Sequence, residues 1–496
     1  MGEMPVEKLL ESLLLKDIKG NVAGNVTGLA YHSEKVETGN LFFALPGTRS
    51  HGWEYARDAV DNGALAVVVD EEAPELDVPC IKTPDVRLAM AVLANTYYNN
   101  PSTRLHLTGV TGTNGKTTTT YLIDALHRRK GFQSGLIGTV DYKIGDEVMP
   151  PLSTTPEASD LQKLFDYMLT RKVSHVVMEV SSHAMDWQRV SGNEFDVVVL
   201  TNITEDHLDF HHNFESYLEA KTKLFAQMGG SFTKRGYPRA AVLNKDDPNY
   251  AYISSRTPVQ QISYAVNQKA DIYADNMYVG LKGNHFTART FAGDIDIELN
   301  LRGMFNVYNS LAAFAVGLAQ GMGLQEIKEG LESVTGVPGR FEQIDFGQDY
   351  LVVIDYAHTV DSLENVLQTA RNMLENGRLI TVFGCGGDRD RSKRPLMGEV
   401  AGKYSEKCVV TSDNPRSEDP QAIVDDILPG LEKKVDKENY HVILDRYEAI
   451  NKAINLAQKG DIIVIAGKGH EEYQVFADRT IDFSDRQVAE EIILSR

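Results

Sequence analysis

Cysteine is scarce in this chain: Cys80, Cys385 and Cys408 are odd in number, far apart and show no CxxC spacing. That pattern fits a reducing compartment and excludes both a disulfide framework and a structural zinc ribbon. No apolar run approaches the ~18 residues of a membrane span, so no membrane insertion is expected. Positive charge is also short, with 50 Lys+Arg against 70 Asp+Glu and a formal net charge of −20. Such a surface repels phosphate backbones and anionic lipid, which excludes a general nucleic-acid or membrane-surface role. Any anionic substrate must be gripped locally by Arg, Lys, backbone amides or a metal. The stretch Met1 to Glu7 lacks the basic start of a secretory signal, and Val6 stands where myristoylation needs Ser or Thr, so the cytosol is the expected address. There is no internal repeat, low-complexity tract or charged tail.

The chain does have apolar material for several cores: 42% of its 496 residues are hydrophobic and 24% charged. At roughly 100 to 200 residues per domain, about three domains are expected. Turn-forming Asn99 to Thr103 follows a helical pattern over Val86 to Tyr98 and marks a first boundary; Gly336-Val337-Pro338-Gly339 marks a second. The expected domains are therefore 1–103, 104–337 and 338–496. Strand patterns at Leu41 to Leu45 and Ala64 to Val69, with a helical stretch Trp53 to Asn62, make the first a small α/β unit. Near-continuous apolar runs at Val173 to Val180 and Phe195 to Leu200 are those of parallel strands buried on both faces, and alternating α/β is expected to continue through the middle region. Beyond the second boundary, Tyr350 to Ile354, Leu379 to Phe383, Lys407 to Thr411 and Asp461 to Ala466 read as strands of a doubly wound unit. The fold class expected is α/β with three domains: a central P-loop-type parallel-sheet ATPase domain and a Rossmann-like C-terminal domain.

The most informative segment is Gly109-Val-Thr-Gly112-Thr113-Asn114-Gly115-Lys116-Thr117-Thr118. It follows a β-like run, Leu105 to Val110, and opens a helical pattern from Lys116 to Arg129. Glycines let backbone wrap a phosphate, amides and the helix N-terminus offer partial positive charge, Lys116 adds a full charge, and Thr117 can ligate Mg²⁺. The spacing is G-x-x-G-x-x-G-K-T, with Val110 where G-x-x-x-x-G-K-[ST] has glycine. Glu179 ends a buried strand, where a carboxylate suits Mg²⁺. His207 and His211, four apart, have the spacing of a zinc pair, but no H-E-x-x-H accompanies them, and such a pair otherwise reads as a solvated face. By periodicity alone Lys221, on an amphipathic helical stretch, is an ordinary surface lysine.

In the last third, three polar loops follow strands: Gly384-Cys-Gly-Gly-Asp-Arg389-Asp, Asp413-Asn414-Pro415-Arg416, and Gly467-Lys-Gly-His-Glu471. The first fails the G-x-G-x-x-G spacing, and its Arg and Lys content points to an anion or carboxylate site. Loops at successive strand ends of a parallel sheet share one face, where such folds bind ligands.

Taken together, these motifs resemble the Mur ligases, most closely the branch that adds the third residue of the muramoyl peptide. The resemblance runs through essentially the whole chain. The loop Gly112 to Thr118 is also similar to that of folylpolyglutamate synthetases; Ser153-Thr154-Thr155-Pro156, Ser181-Ser182-His183-Ala184, the Gly384 loop and Gly467 to Glu471 favour the Mur branch. The resemblance implies an ATP-dependent ligase that adds meso-diaminopimelate to UDP-N-acetylmuramoyl-L-alanyl-D-glutamate (UDP-MurNAc-dipeptide) through an acyl phosphate, with no nucleic-acid partner and as a monomer. It further implies that Gly112 to Thr118, Asn306, Arg340, Asp355 and His358 contact ATP, and that Lys116, Lys221 and His207 serve catalysis. Mg²⁺ falls to Thr117, Glu179, His207 and Lys221, the last as a CO₂-derived carbamate. Ser33, Thr154, Thr155, Ser181 and Arg189 match the UDP-muramoyl-peptide contacts, although the family's D-S-R reads His32-Ser33-Glu34 here and Trp187 stands where some relatives carry Gln. Arg389, Asp413, Asn414, Pro415, Arg416, Gly467 and Glu471 match the diaminopimelate site. Within that site Arg416 would grip the distal carboxylate and repel the ammonium of lysine. With amine and nucleotide sites on different domains, closure about Gly336 to Gly339 is expected. Three other readings compete: an L-lysine-adding Mur ligase; a folylpolyglutamate synthetase, for which a ~100-residue unit before the phosphate loop has no use; and a P-loop regulatory ATPase, which would hydrolyse ATP without small co-substrates.

Overall fold

The structure is a computed structural model and describes residues 3–47, 51–71, 75–229, 233–234, 237–280, 283–374 and 376–496. Among the described residues three large sheets succeed one another along the chain, of five, eleven and six strands, beside three two-stranded ones. In the first, Asp17–Lys19, Cys80–Lys82, Ala66–Val69, Asn40–Phe43 and Gly28–Ala30 lie side by side, and the helix Val86–Tyr97 packs against them.

The second sheet carries the phosphate loop. Its centre is β1 (His106–Thr111), parallel to β2 (His175–Glu179) on one side and β3 (Val197–Leu200) on the other. Alternate residues of these strands enter two separate cores: Val110, Val177 and Val199 pack with one set of helices, Leu107, Val176, Met178, Val198 and Leu200 with another. Burial on both faces is why each strand reads as an unbroken apolar run. Helix α1 (Lys116–Arg129) starts at Gly115, whose left-handed φ of 84° suits glycine. Leu122, Ile123 and Leu126 on α1 are fully buried, each worth about 1.5 to 3 kcal/mol of apolar transfer. Helices α2 (Phe214–Ala226) and α3 (Met304–Ala319) belong to the same layers.

One expectation for this region is corrected. Alternating α/β does not run to its end: Ile272–Gly280, Gly283–Thr290 and Gly293–Leu299 form an antiparallel meander on the sheet's edge. Phe286, Ala288, Ile297 and Leu299 face the core while Asp294, Asp296 and Glu298 face outward, the period-2 pattern of a sheet with one wet face.

In the third sheet β4 (Leu351–Asp355) and β5 (Leu379–Phe383) flank a later strand on either side, and β6 (Lys407–Val410) pairs with β5. The strand between β4 and β5 is β7 (Ile462–Ala466), and all four are parallel. Helix α4 (Val360–Met373), inserted between β4 and β5 in the chain, reaches back to the phosphate loop. Among the described residues no helix is long and apolar enough to cross a membrane.

Candidate active site

The phosphate loop is wedged between the ends of β2 and β3. Thr113 donates its amide to the Asn202 carbonyl at 2.7 Å and Asn114 donates to Asn202 Oδ1 at 3.0 Å. A Cβ on Gly112 would lie 1.9 Å from Thr201 Oγ1, and one on Gly115 2.3 Å from Asn309 Oδ1, so the cradle closes only around glycine. Lys116 Nζ folds over the loop and donates to the carbonyls of Gly112 (2.9 Å) and Thr113 (2.8 Å). Its burial lowers the ammonium pKa, against the pull of Glu179 and Asp206.

Glu179, almost fully buried, accepts at Oε1 from Thr117 Oγ1 (2.9 Å) and from the Thr139 amide (2.9 Å), and at Oε2 from Thr139 Oγ1 (3.1 Å). These partners are all neutral. A buried carboxylate touching the Thr117 hydroxyl, beside a loop of amides, is an oxygen donor set that fits Mg²⁺. Arg340 Nη2 reaches Thr117 Oγ1 from the third domain at 3.1 Å, and Asn114 Nδ2 donates to Asp361 Oδ2 on α4 at 2.6 Å. Together they enclose a cavity of about 1150 Å³ whose walls include the 113–118 loop, Glu179 and His207 from one side and Arg340, Asp355 and His358 from the other. Asp355 accepts from the amides of Phe341 (2.6 Å) and Ala357 (2.8 Å), and burial pushes its pKa up to about 6. Burial lowers the pKa of His207 and of His358.

Lys221 overturns its surface reading: it is 2% exposed on α2, donates to the Gly112 carbonyl at 2.9 Å and lies 4.7 Å from the Tyr217 ring centre. It sits behind the phosphate loop, not in the cavity wall. Burial first, then the charge of Lys116, hold its ammonium well below the ordinary lysine range. The histidine pair is split between solvent and core: His207 is exposed and His211 is not. His211 has a buried side chain with Nδ1 3.2 Å from Asp186 Oδ2, while His207 faces Asp206 at 3.4 Å. Among the described residues no group of three or more His, Cys, Asp or Glu side chains is placed to hold a metal.

Asn306 is buried near the start of α3. Its Nδ2 donates to the Arg302 carbonyl, just before α3, and its Oδ1 accepts from Asn309. The α3 asparagine in the cavity wall is Asn309, one turn on, which sequence reading missed although its i+3 spacing marks the same helix face.

Thr154, Thr155, Ser181 and Arg189 gather beside Glu179. Thr154 Oγ1 is 3.1 Å from Thr139 Oγ1, Thr155 Oγ1 donates to the Glu179 carbonyl at 2.9 Å, and the Ser181 amide donates to Thr155 Oγ1 at 3.2 Å. Arg189 donates to the Thr155 carbonyl at 3.0 Å and pairs with Glu157 at 2.7 Å, and Arg87 from the first domain pairs with the same Glu157 at 3.3 Å. The Trp187 ring lies within 5 Å of both guanidiniums, 4.9 Å from Arg87 and 4.8 Å from Arg189. Ser33 belongs to the first domain, on the short turn Ser33–Lys35, where its carbonyl accepts from Asn62 at 3.0 Å.

The three loops beyond β5, β6 and β7 interlock. The Gly387 amide donates to the Asn414 carbonyl at 2.9 Å, Arg416 Nη1 to the Gly387 carbonyl at 2.8 Å and Asn414 Nδ2 to Glu471 Oε2 at 2.8 Å. Arg416 adopts a left-handed φ of 53°. Asp413 and Pro415 are buried in this cluster, and a Cβ on Gly467 would meet Asp413 Oδ2 at 2.8 Å. Arg389 is exposed, its guanidinium donating to the neighbouring Asp388 carbonyl. Sequence reading also passed over Lys468, whose side chain is fully buried between these loops.

Family models match along most of the chain: a Mur ligase family catalytic domain over 25–98, a Mur ligase middle domain over 110–317 and a Mur ligase glutamate ligase domain over 339–469. A protein of Syntrophomonas wolfei subsp. wolfei named UDP-N-acetylmuramoyl-L-alanyl-D-glutamate--2,6-diaminopimelate ligase is 44% identical, with 99% of each chain covered. A protein of the same name from Geobacillus thermodenitrificans is 47% identical, covering 95% of this chain and 96% of the other. Among solved structures, one of a UDP-N-acetylmuramoyl-L-alanyl-D-glutamate--2,6-diaminopimelate ligase superposes with a TM-score of 0.68 at 33% identity, covering 98% of both chains. A Mycobacterium tuberculosis folylpolyglutamate synthase complexed with ADP and AMPPCP shares the fold, with a TM-score of 0.64 at 18% identity over 82% of this chain and 95% of the other.

Proposed function

The chain belongs to the Mur ligase family, and from that premise we propose that it joins meso-diaminopimelate to the D-glutamate of UDP-N-acetylmuramoyl-L-alanyl-D-glutamate at the expense of ATP, in peptidoglycan synthesis. The observation that carries this reading is the meeting of two domains over one cavity, a triphosphate cradle on one side and Arg340, Asp355, His358 and Asp361 on the other. The relatives' shared name supports the choice of substrates.

In this mechanism the D-glutamate side-chain carboxylate attacks the γ-phosphorus of ATP, and the bond to the ADP oxygen breaks. The diaminopimelate amine then attacks the acyl carbon, loses a proton and expels phosphate. Lys116, released from its loop carbonyls, follows the charge moving through the phosphoryl group. Thr117 and Glu179 would hold Mg²⁺, which when bound neutralises that charge. Lys221 would carry a CO₂-derived carbamate: its depressed pKa makes the free amine accessible, CO₂ adds to Nζ, one proton leaves, and a cation becomes an anion able to bind a second cation near His207. Arg189, Thr154, Thr155 and Ser181 would orient the muramoyl peptide. Arg416 would grip the donor's distal carboxylate and Glu471 its distal ammonium.

We place the domain divisions at 103/104 and 337/338, with closure about Gly336 to Gly339 excluding water from the acyl phosphate. Free Cys80, Cys385 and Cys408 suit a reducing, cytosolic setting. The test is phosphate release with UDP-MurNAc-dipeptide and either meso-diaminopimelate or L-lysine. Release that requires the dipeptide and prefers diaminopimelate is expected; steady release from ATP alone, or equal use of lysine, overturns the reading.

A further inference from the structure

Lys468 buries a full positive charge in the third domain, and nothing in the reaction above uses it. Its side chain has no exposed surface. A buried ammonium costs several kcal/mol unless every proton finds an acceptor. Here Nζ donates to Asn414 Oδ1 at 3.1 Å and to Glu471 Oε2 at 3.0 Å, and the Asp413 carboxylate adds a third, purely electrostatic partner with Oδ1 at 4.0 Å. The acceptors come from two different loops, a spread that suits the point charge and rotatable donors of lysine better than the planar fork of arginine. Gly469 makes the turn possible, since a Cβ there would strike the Tyr356 backbone at 2.9 Å and its φ is left-handed at 55°.

This placement has a geometric consequence. Asn414 Oδ1 accepts from both Lys468 Nζ and the Val475 amide (3.0 Å), so the amide cannot flip and Nδ2 must point at Glu471 Oε2, which it meets at 2.8 Å. Glu471 Oε2 therefore receives two donors. Among the described residues Oε1 has only the Tyr356 hydroxyl, at the 3.5 Å limit of hydrogen bonding.

We propose that Lys468 is a positioning residue for the amine donor: it locks Asn414 and one oxygen of Glu471, leaving Oε1 as the carboxylate oxygen offered to a second ammonium group on the incoming amino acid. The inference rests on the reading of this loop cluster as the amino-acid site. It assigns selection for a doubly amino-bearing donor to a residue that never touches the donor.

The test is steady-state kinetics on Lys468→Met, on Glu471→Gln and on the double variant, which removes both members of the Lys468–Glu471 ion pair together and carries the test where the Lys468 single variant fails to fold. KM for diaminopimelate should rise about tenfold or more, as expected for a misaligned charged contact. KM for ATP and for UDP-MurNAc-dipeptide should stay within about twofold, a split that a merely structural role would not produce. The double variant should be no worse than about threefold beyond either single change, because both act on one contact. An unchanged KM for diaminopimelate, or an equal rise in all three KM values, overturns the proposal. If Arg416→Ala impairs diaminopimelate use while Lys468→Met does not, only this inference falls; if neither does, the amino-acid site lies elsewhere.

Discussion

Lys116 and Lys221 donate to the same oxygen, the Gly112 carbonyl, each across 2.9 Å. Two buried ammonium groups on one acceptor repel each other, and the repulsion adds to burial in depressing the Lys221 pKa. Conversion of one of them to an anion relieves that conflict. Lys221→Ala should therefore abolish ligation, with partial recovery by a small added carboxylate such as acetate. A ¹³C resonance of a carbamate in enzyme equilibrated with ¹³CO₂, absent from the variant, is the direct measurement. Wild-type activity in the variant would remove Lys221 from the site.

Arg416 holds the Gly387 carbonyl with Nη1, and its guanidinium makes no other hydrogen bond among the described residues. Arg416→Ala should lower kcat/KM for diaminopimelate by the ~1.5 to 3 kcal/mol of a charged hydrogen bond, about 10- to 100-fold. Competition assays with L-lysine should show the preference for diaminopimelate shrinking by a similar factor.

The cradle tolerates no side chain at its second glycine. Gly112 has φ 149°, and besides Thr201 Oγ1 an added Cβ would lie 2.9 Å from the Asn202 carbonyl oxygen and 3.0 Å from its amide nitrogen. Gly112→Ala should push the loop off the β3 end, cost about 1 to 3 kcal/mol of stability as overpacking does, and weaken nucleotide binding. Calorimetric titration with a non-hydrolysable ATP analogue reads the second effect; unaltered affinity would show that the loop accommodates the methyl group.

Below the central sheet His127 is fully buried, with Nε2 3.0 Å from Gln320 Oε1 and its ring 5.2 Å from that of His175. Burial brings its pKa down to about 4, against the pull of Asp124. Between pH 6.5 and 4 the unfolded chain then binds more protons at this site than the folded one, so stability is lost as the pH falls through that window. A shift of that size corresponds to about 3 kcal/mol at the acid end. Thermal unfolding at pH 7 and pH 5 should show a smaller drop in midpoint for His127→Gln than for the parent chain; equal drops would exonerate His127.

Local chemistry was legible along the chain wherever neighbours in sequence settle the structure. Helix α1 begins at Lys116 and ends at Arg129, and β5 runs from Leu379 to Phe383, as their own residues dictate. Glycine spacing, apolar runs and loop composition marked the phosphate loop and the three loops of the third domain because those features act over a few residues. The burial of Lys221, the place of Asn309 in the cavity wall and the enclosure of Lys468 were not legible, because each depends on which distant strand end or helix arrives beside it. The amino-acid order thus determined the elements and the chemistry each could carry. Tertiary structure alone decided which charges lost their water, since desolvation is set by what packs against a side chain and not by what precedes it.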